Sequence, residues 1–262
     1  MKLLKITLLA ASLAALTACG GEQKTAGGDA QKSEAGAAAG KLQTKFVTIA
    51  TGGASGPYNI LGTSLAEAYA KEFGVNSKTQ TTGASVENIN LINQKKAEMA
   101  FVMSDVLSEA VNGVNSFPQK ISSVSQVAAL YPNYVQVVTS SKSGIKTLAD
   151  LRGKRVAVGA QNSGVEVNAR NLINGFGMTY KDLKVDYLGY AEAADALKSG
   201  KIDAAFLTSG LPNSSLMELQ QGFDLQLVSI PADKIAEIAK DKPYFVADRK
   251  STRLNSSHSD RS

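Results

Sequence analysis

The sequence predicts an α/β fold made of two halves, each with a sheet flanked by helices. Before residue 112, a strand-like run, a turn of small polar residues and a helical pattern follow one another three times, which is typical of a parallel sheet. The same succession returns after residue 153. The chain has 262 residues, of which 44% are apolar and 19% charged, and this composition is ordinary for a globular protein.

The first strand–turn–helix unit is the most informative stretch. Residues 46–50 alternate apolar and polar side chains, as in a short strand. Three glycines within residues 52–56 break the alternation, and apolar residues return at helical spacing from Ile60. Pro57 suits the first turn of this helix, because its missing N–H would have no intrahelical partner there.

This glycine turn is a candidate anion-binding site. A helix N-terminus presents free backbone N–H groups and a partial positive charge, and glycines let a ligand approach the backbone closely. The turn has neither the Gly-Lys-Ser/Thr ending of a P-loop nor the G-x-G-x-x-G spacing of a dinucleotide-binding fingerprint. A plain connection between strand and helix, with no ligand, is the alternative interpretation.

The rest of the first half continues the same rhythm. Ser85 is a natural N-cap for the helix that the apolar spacing predicts over residues 86–95. Residues 97–103 read as a short buried strand, and Ser104-Asp105 opens the next helix. The remaining elements expected here are strands at 75–81, 124–130 and 134–139 and a helix at 106–111.

The second half also contains turns that suit a ligand. A polar, glycine-bearing turn at residues 160–164 precedes a predicted helix at 165–176, and a strand at 202–207 ends at Thr208-Ser209. Ligands of open parallel sheets bind beyond the carboxyl ends of the strands, and clefts between domains are favoured sites. We therefore expect a small-molecule site where these turns face those of the first half. The other predicted elements are strands at 155–158, 185–188 and 225–230 and helices at 148–151, 191–197 and 211–221.

The N-terminus has the pattern of an export signal. Lys2 and Lys5 precede an apolar run at residues 6–16 that is too short to span a membrane as a stable helix. The sequence Leu-Thr-Ala-Cys that ends at Cys19 resembles the bacterial lipobox, which implies cleavage before this cysteine and its lipidation. Residues 20–45 are poor in large apolar side chains and predict a flexible linker.

The last 14 residues, 249–262, are polar and unpatterned. They resemble translated sequencing-adaptor read-through and predict a non-native tail, with a native disordered tail as the alternative. On the first reading the natural sequence continues past Asp248 and the first half is incomplete. This tail carries three of the five net positive charges and the leader two, so the body is neutral and gives no support for nucleic-acid binding.

Five motifs together resemble the TAXI family, the substrate-binding receptors of TRAP transporters, which have a type II periplasmic-binding-protein fold. They are TGGASGPYNILG, TGASVENINLINQKKAEMAFVMSD, ALYPN, IKTLADLRGKRVAVGAQNSGVEVNARNLINGFG and SGKIDAAFLTSGLP, and the resemblance covers residues 46–248. It implies a first lobe of residues 46–138 plus 229–248 and a second lobe of residues 139–228.

The resemblance also implies a function. The two lobes would close around a small organic anion or amino acid, such as glutamate or a dicarboxylate, and deliver it to an ion-coupled TRAP permease. The receptor would be a monomer, anchored by its lipid in the cell envelope, without cofactor or metal. Carried over by motif, the ligand-binding residues would be Gly53, Ala54, Ser55, Tyr58, Ser85, Ser104, Asp105, Tyr131, Gln161, Ser163, Gly164, Val165, Thr208 and Ser209.

Other interpretations of these residues and of the chain stay open. Ser55, Ser85, Ser104 and Thr208 also suit helix caps or turns without a ligand. Glu166 is expected to pair with the residue one turn later, Arg170, rather than to bind solute. A substrate-binding protein of an ABC importer, or a ligand-sensing partner of a signalling protein, is the alternative function. An enzyme is not expected, because the body lacks histidine and a free cysteine, which excludes Ser–His and Cys–His pairs and Cys/His zinc sites.

Overall fold

Two β-sheets organise the chain. The computed structural model describes residues 42–248. The first sheet has three parallel strands in the order β2-β1-β3, and these are β1 (Phe46–Ala50), β2 (Asn76–Gln80) and β3 (Met99–Ala100). Each strand feeds a helix, which is the arrangement that the alternating pattern predicts.

Three helices flank this first sheet. They are α1 (Pro57–Phe73), α2 (Ser85–Asn93) and α3 (Ser104–Asn112). Helix α1 begins at the expected proline and ends before Gly74, whose φ of 64° is the left-handed conformation that glycine adopts without steric cost.

The second sheet has five strands in the order β6-β5-β7-β4-β8. Strand β5 is parallel to β6 and β7, whereas β4 is antiparallel to β7 and β8, so this sheet is mixed rather than purely parallel. Its strands are β4 (Tyr134–Ser140), β5 (Arg155–Ala157), β6 (Lys184–Asp186), β7 (Ala204–Ser209) and β8 (Leu225–Leu227).

Two helices of the second half have side-chain N-caps. The hydroxyl of Ser163 accepts a hydrogen bond from the Glu166 amide at the start of α4, and the Asn213 side chain does the same for Leu216 in α6. The helices are α4 (Gly164–Gly175), α5 (Tyr190–Lys198), α6 (Ser214–Gln220) and α7 (Ala232–Ile238), with single 3₁₀ turns at Ser141–Ser143, Leu148–Leu151 and Tyr180–Asp182.

One buried cluster joins the two halves. Val86 and Ile89 of α2 and Val106 of α3 belong to the same apolar core as Val165 and Leu172 of α4. The burial of apolar side chains is the dominant favourable term in folding, so this shared core holds the start of α4 against α2 and α3. The predicted α/β class, with sheets flanked by helices, is confirmed.

The strand predicted at residues 124–130 is wrong. No described strand pairs with this segment. Val127 is 84% exposed and Leu130 62% exposed, whereas Val124 is half-buried and packs against the apolar core. Apolar and β-branched residues favour a strand only where a neighbouring backbone accepts and donates its hydrogen bonds. The sequence pattern shows that the segment favours an extended conformation, but it does not show whether a neighbouring strand is available for pairing.

Several predicted boundaries also move. Strand β7 extends to Ser209, so Thr208 and Ser209 end the strand rather than follow it. The predicted lobe boundary at residue 138 falls inside β4, which belongs to the five-stranded sheet, and the division into lobes stays a prediction. The predicted leader, Cys19 lipidation, linker and tail lie outside the described residues, apart from the last linker residues, 42–45. Among residues 42–248, no helix is both long and apolar enough to cross a membrane.

Candidate ligand-binding site

The loops of the two halves meet directly at the start of α2. The backbone amides of Val86 and Glu87 donate hydrogen bonds of 3.1 and 3.3 Å to the carbonyl oxygen of Asn162, in the loop before α4. A Cβ atom on Gly83 would lie 2.4 Å from the carbonyl oxygen of Gln161, so only glycine fits there without a shift. We call this contact between residues 83–87 and 161–164 the seam.

The starts of α3 and α4 extend the seam. The Asn168 side-chain amide donates a hydrogen bond to the Asp105 carboxylate, and the Ser85 hydroxyl accepts one of 3.1 Å from the Met103 amide. A Cβ atom on Gly164 would lie 2.6 Å from the sulfur of Met103. The predicted residues Ser85, Asp105 and Gly164 therefore lie close together. The Ser85 hydroxyl and the Asp105 carboxylate already have hydrogen-bond partners within the protein.

Aromatic rings approach the same region from both halves. The Tyr190 ring lies 3.7 Å from the position that a Cβ on Gly56 would take, and its hydroxyl donates to the Thr208 carbonyl oxygen. Tyr58 stacks on Phe101 with ring centroids 5.2 Å apart. Burial, with lesser repulsion from neighbouring tyrosines, raises the pKa of Tyr58 above its usual range, so its hydroxyl stays protonated at neutral pH.

A groove of about 1960 Å³ opens beside the seam. Five of the predicted ligand-binding residues line it: Tyr58, Ser104, Asp105, Tyr131 and Thr208. A smaller neighbouring pocket of about 610 Å³ is lined by Ser209 and again by Tyr131. The remaining predicted residues line neither space, and these are Gly53, Ala54, Ser55, Ser85, Gln161, Ser163, Gly164 and Val165.

The predicted ligand-binding residues thus fall into two groups, those that line the groove or the smaller pocket and those that do not. Tyr131 and the predicted residues of α1, α3 and β7 line the groove or the smaller pocket, whereas the loop before α4 contacts the first half. Ser163 is an N-cap, and the pair Glu166–Arg170 is present at 3.5 Å, as the i,i+4 spacing predicts. The interpretation of Ser85 and Ser104 as N-caps is wrong, because each is the first residue inside its helix, after Ala84 and Met103, and neither helix has a side-chain cap.

Three residues that line the groove each carry a buried polar atom with no partner within the described residues. These atoms are Gln136 Oε1, Thr208 Oγ1 and Tyr131 Oη, and the residues Gln136 and Thr208 are only 7% and 3% exposed. Burying such a group without a hydrogen bond costs about 1–3 kcal/mol, so each of these atoms indicates a place where water or a ligand completes its bonding. Gln136 pairs with Leu207 and Thr208 with Val135, so the side chains of Gln136 and Thr208 lie on opposite faces of the sheet and do not belong to one site. Sequence reasoning missed Gln136, although a polar residue inside the apolar run of β4 was a visible signal.

The carboxyl group of Asp105, which lines the groove, has a raised pKa. Burial raises the pKa of its carboxyl to about 6, and the nearby Glu109 adds to the rise. Hydrogen bonds from the Val106 amide and from Asn168 oppose it. The described residues contain no group of three or more acidic, histidine or cysteine side chains that could hold a metal ion.

Comparison with known proteins places the fold. Residues 49–248 match the model of the NMT1-like family. Similar solved structures are the periplasmic aliphatic sulphonate binding protein SsuA from Escherichia coli (17% identity, covering 71% of this chain and 57% of that chain, TM-score 0.44), a protein from Bordetella bronchiseptica RB50 (20%, 77% and 62%, TM-score 0.53) and holo ArgBP from T. maritima (18%, 71% and 77%, TM-score 0.49).

These likenesses bear on the fold alone, because the identities are 20% or lower. The Bordetella bronchiseptica structure, with the TM-score of 0.53, carries the comparison. The chain spans about 60% of the length of the first solved structures that it matches.

The raised pKa of Asp105 predicts a specific dependence of stability on pH. Because the folded-state pKa of about 6 exceeds the ordinary value of 3.8, the folded protein binds the proton more tightly, and stability falls as pH rises from about 4 to 6. Asp105→Asn removes this ionisation and keeps an acceptor for Asn168. In urea titrations at pH 4 to 7.5, we expect the free energy of unfolding of the wild type to fall by about 3 kcal/mol as Asp105 ionises. The variant should not show this decrease.

The control is Asp150→Asn. Hydrogen bonds from the Thr147 and Lys146 amides lower the pKa of this exposed carboxyl, so it titrates below the window in question. The control should keep the wild-type slope between pH 4 and 6. An unchanged slope in Asp105→Asn would contradict the assignment.

The seam predicts a second stability effect. Gly83→Ala places a methyl group against the Gln161 carbonyl oxygen, and overpacking of this kind costs about 1–3 kcal/mol. Gly222→Ala is the matched control, because nothing lies within 4 Å of its new methyl group. Equal stabilities of the two variants in urea denaturation would show that residues 83 and 161 are not in contact.

Proposed function

The chain belongs to the NMT1-like family, and from this premise we propose that it is an exported solute-binding protein, a receptor without catalytic activity. The single observation that carries the proposal is the groove beside the seam, whose lining residues include three with a buried polar atom that has no partner within residues 42–248. Ligand sites in proteins are concave, largely apolar and furnished with a few convergent polar groups, and this groove has that composition.

The proposed mechanism is a shift between open and closed arrangements of the two halves. A solute that contacts Ser104 of α3 and Thr208 of β7 touches both halves of the chain, so it stabilises the arrangement in which the seam is formed. The backbone hydrogen bonds to Asn162 then close the loops beside the solute.

The remaining parts of the proposal rest on the motif resemblance. The TAXI-like motifs support a TRAP-type permease as the partner, and the lipobox-like segment that ends at Cys19 supports a lipid anchor on the outer side of a bacterial membrane. The proposed solute is a small organic acid or amino acid. Co-purification of the receptor with a TRAP permease subunit, rather than with an ABC permease, separates the two candidate partners.

Thermal unfolding with a panel of solutes tests the proposal. A ligand that binds only the folded state stabilises it by about 2.7 kcal/mol at 100 times its dissociation constant. We expect at least one member of a panel of dicarboxylates, glutamate, glutamine and branched-chain amino acids to raise the unfolding temperature. A panel without any stabilising solute would contradict the receptor proposal.

Two serines of α3 provide a matched pair of variants for this test. Both are exposed, but Ser104 lines the groove and Ser108 does not. Ser104→Ala should reduce the thermal shift, and Ser108→Ala should leave it at the wild-type value. The opposite ranking would place the solute outside the groove.

A further inference from the structure

We propose that two copies of this chain form a symmetric dimer by edge-to-edge β-pairing. Residues 124–130 of one copy would enter the groove of the other, between β3 and residues 124–130 of that copy. The inference goes beyond solute binding, which concerns the end of the groove beside the seam. It also differs from the monomer that the motif resemblance implies.

Residues 122–133 form one rim of the groove, and their backbone groups are unpaired. Within the described residues, no hydrogen bond joins a backbone amide or carbonyl of this segment to another backbone group. Residues 123–133 all line the groove, and residues 125–130 are all exposed. A row of unpaired N–H and C=O groups is a template for pairing with a strand of another chain.

The opposite rim of the groove is β3, which also has a free edge. The sheet order β2-β1-β3 leaves β3 paired on one side only, and both of its residues line the groove. Right-handed crossovers that run in opposite directions put α1 and α2 on opposite faces of this sheet. Leu65 of α1 and Ile92 of α2 both line the groove. A strand between the two rims would therefore pair along both edges and pack against apolar side chains on both faces.

The two rims run side by side. At one end, the Ser123 hydroxyl donates a hydrogen bond of 2.7 Å to the Asn93 side chain, at the end of α2, which leads into β3. At the other end, Asn133 lies beside the Tyr58 hydroxyl, at the start of α1, which follows β1. These contacts place Ser123 near the amino end of the sheet and Asn133 near its carboxyl end. The segment between them therefore follows the direction of β3.

The composition of residues 124–130 favours a second copy as the occupant. The segment reads Val-Ser-Gln-Val-Ala-Ala-Leu, so two copies meet without repulsion between like charges. The lysine and proline residues that blunt exposed edge strands are absent from residues 121–130. A two-fold axis uses the same surface on both subunits, and antiparallel pairing centred on Val127 keeps all seven residues opposite one another. Direct β-pairing of this kind is a common mode of recognition.

Sedimentation equilibrium of the full chain over a wide range of concentrations tests the proposal. We expect a reversible monomer–dimer equilibrium, and the backbone amides of residues 126–128 should exchange more slowly as the dimer forms. A wild type that stays monomeric at every concentration overturns the inference, because the groove is then not filled by a second copy. The thermal test of solute binding stands apart from this result.

Val127→Lys is the decisive variant, because Val127 is 84% exposed and its replacement leaves the core intact. It places like charges opposite one another across the two-fold axis, so the dissociation constant of the dimer should rise about 10-fold. Met217→Lys is the matched control, since Met217 is 53% exposed on α6 and lines neither the groove nor the smaller pocket. Equal dissociation constants of the two variants would place the dimer contact elsewhere and overturn the inference.

A mixture of charge variants tests the symmetry of the pairing. Val127→Glu alone should weaken the dimer as Val127→Lys does, whereas the two variants mixed should dimerise more tightly than either alone, because opposite charges then face one another. A mixture no tighter than the separate variants would overturn the self-pairing of this segment.

Discussion

The hydrogen bonds from the Val86 and Glu87 amides to the Asn162 carbonyl are the constraint on which the rest of the site depends. The first amides of a helix have no intrahelical partner, so a buried helix start must find an acceptor elsewhere. Helix α2 finds it on the other half of the chain. The same contact places the start of α4 against α3, where Asn168 reaches Asp105.

The two halves approach so closely at the seam that only glycine fits at two of its positions without a shift of neighbouring atoms. Gly83 and Gly164 both lie where a Cβ atom would collide with the opposite half. The apolar core beneath them continues from α2 and α3 into α4, so the contact is anchored by burial as well as by hydrogen bonds. In the part of the chain that the structure describes, Gln136 and Thr208 keep buried polar atoms without partners. In the proposed mechanism, solute binding shifts the equilibrium toward the arrangement in which the seam is formed.

The sequence predicted the α/β class and most helices, because periodicity and glycine turns are local signals. The site residues that it suggests stay a prediction. It could not predict which turn residues face open space, since the loop before α4 meets the first half through backbone atoms that carry no side-chain pattern. Asn162 acts through its carbonyl group, and Gln136 lies inside a strand that appeared to be core. The strand predicted at residues 124–130 failed for the same reason, because a strand depends on a partner elsewhere in the chain.

The most direct test of this account is amide hydrogen exchange at Val86 and Glu87, measured by NMR. The Asn88 amide is the internal reference, because it donates the first intrahelical bond of α2, to the Ala84 carbonyl at 2.8 Å. If the Asn162 carbonyl completes the helix start, Val86 and Glu87 should exchange at rates close to that of Asn88. Exchange of these two amides at the rate of unprotected first-turn amides, with Asn88 still protected, would contradict the seam.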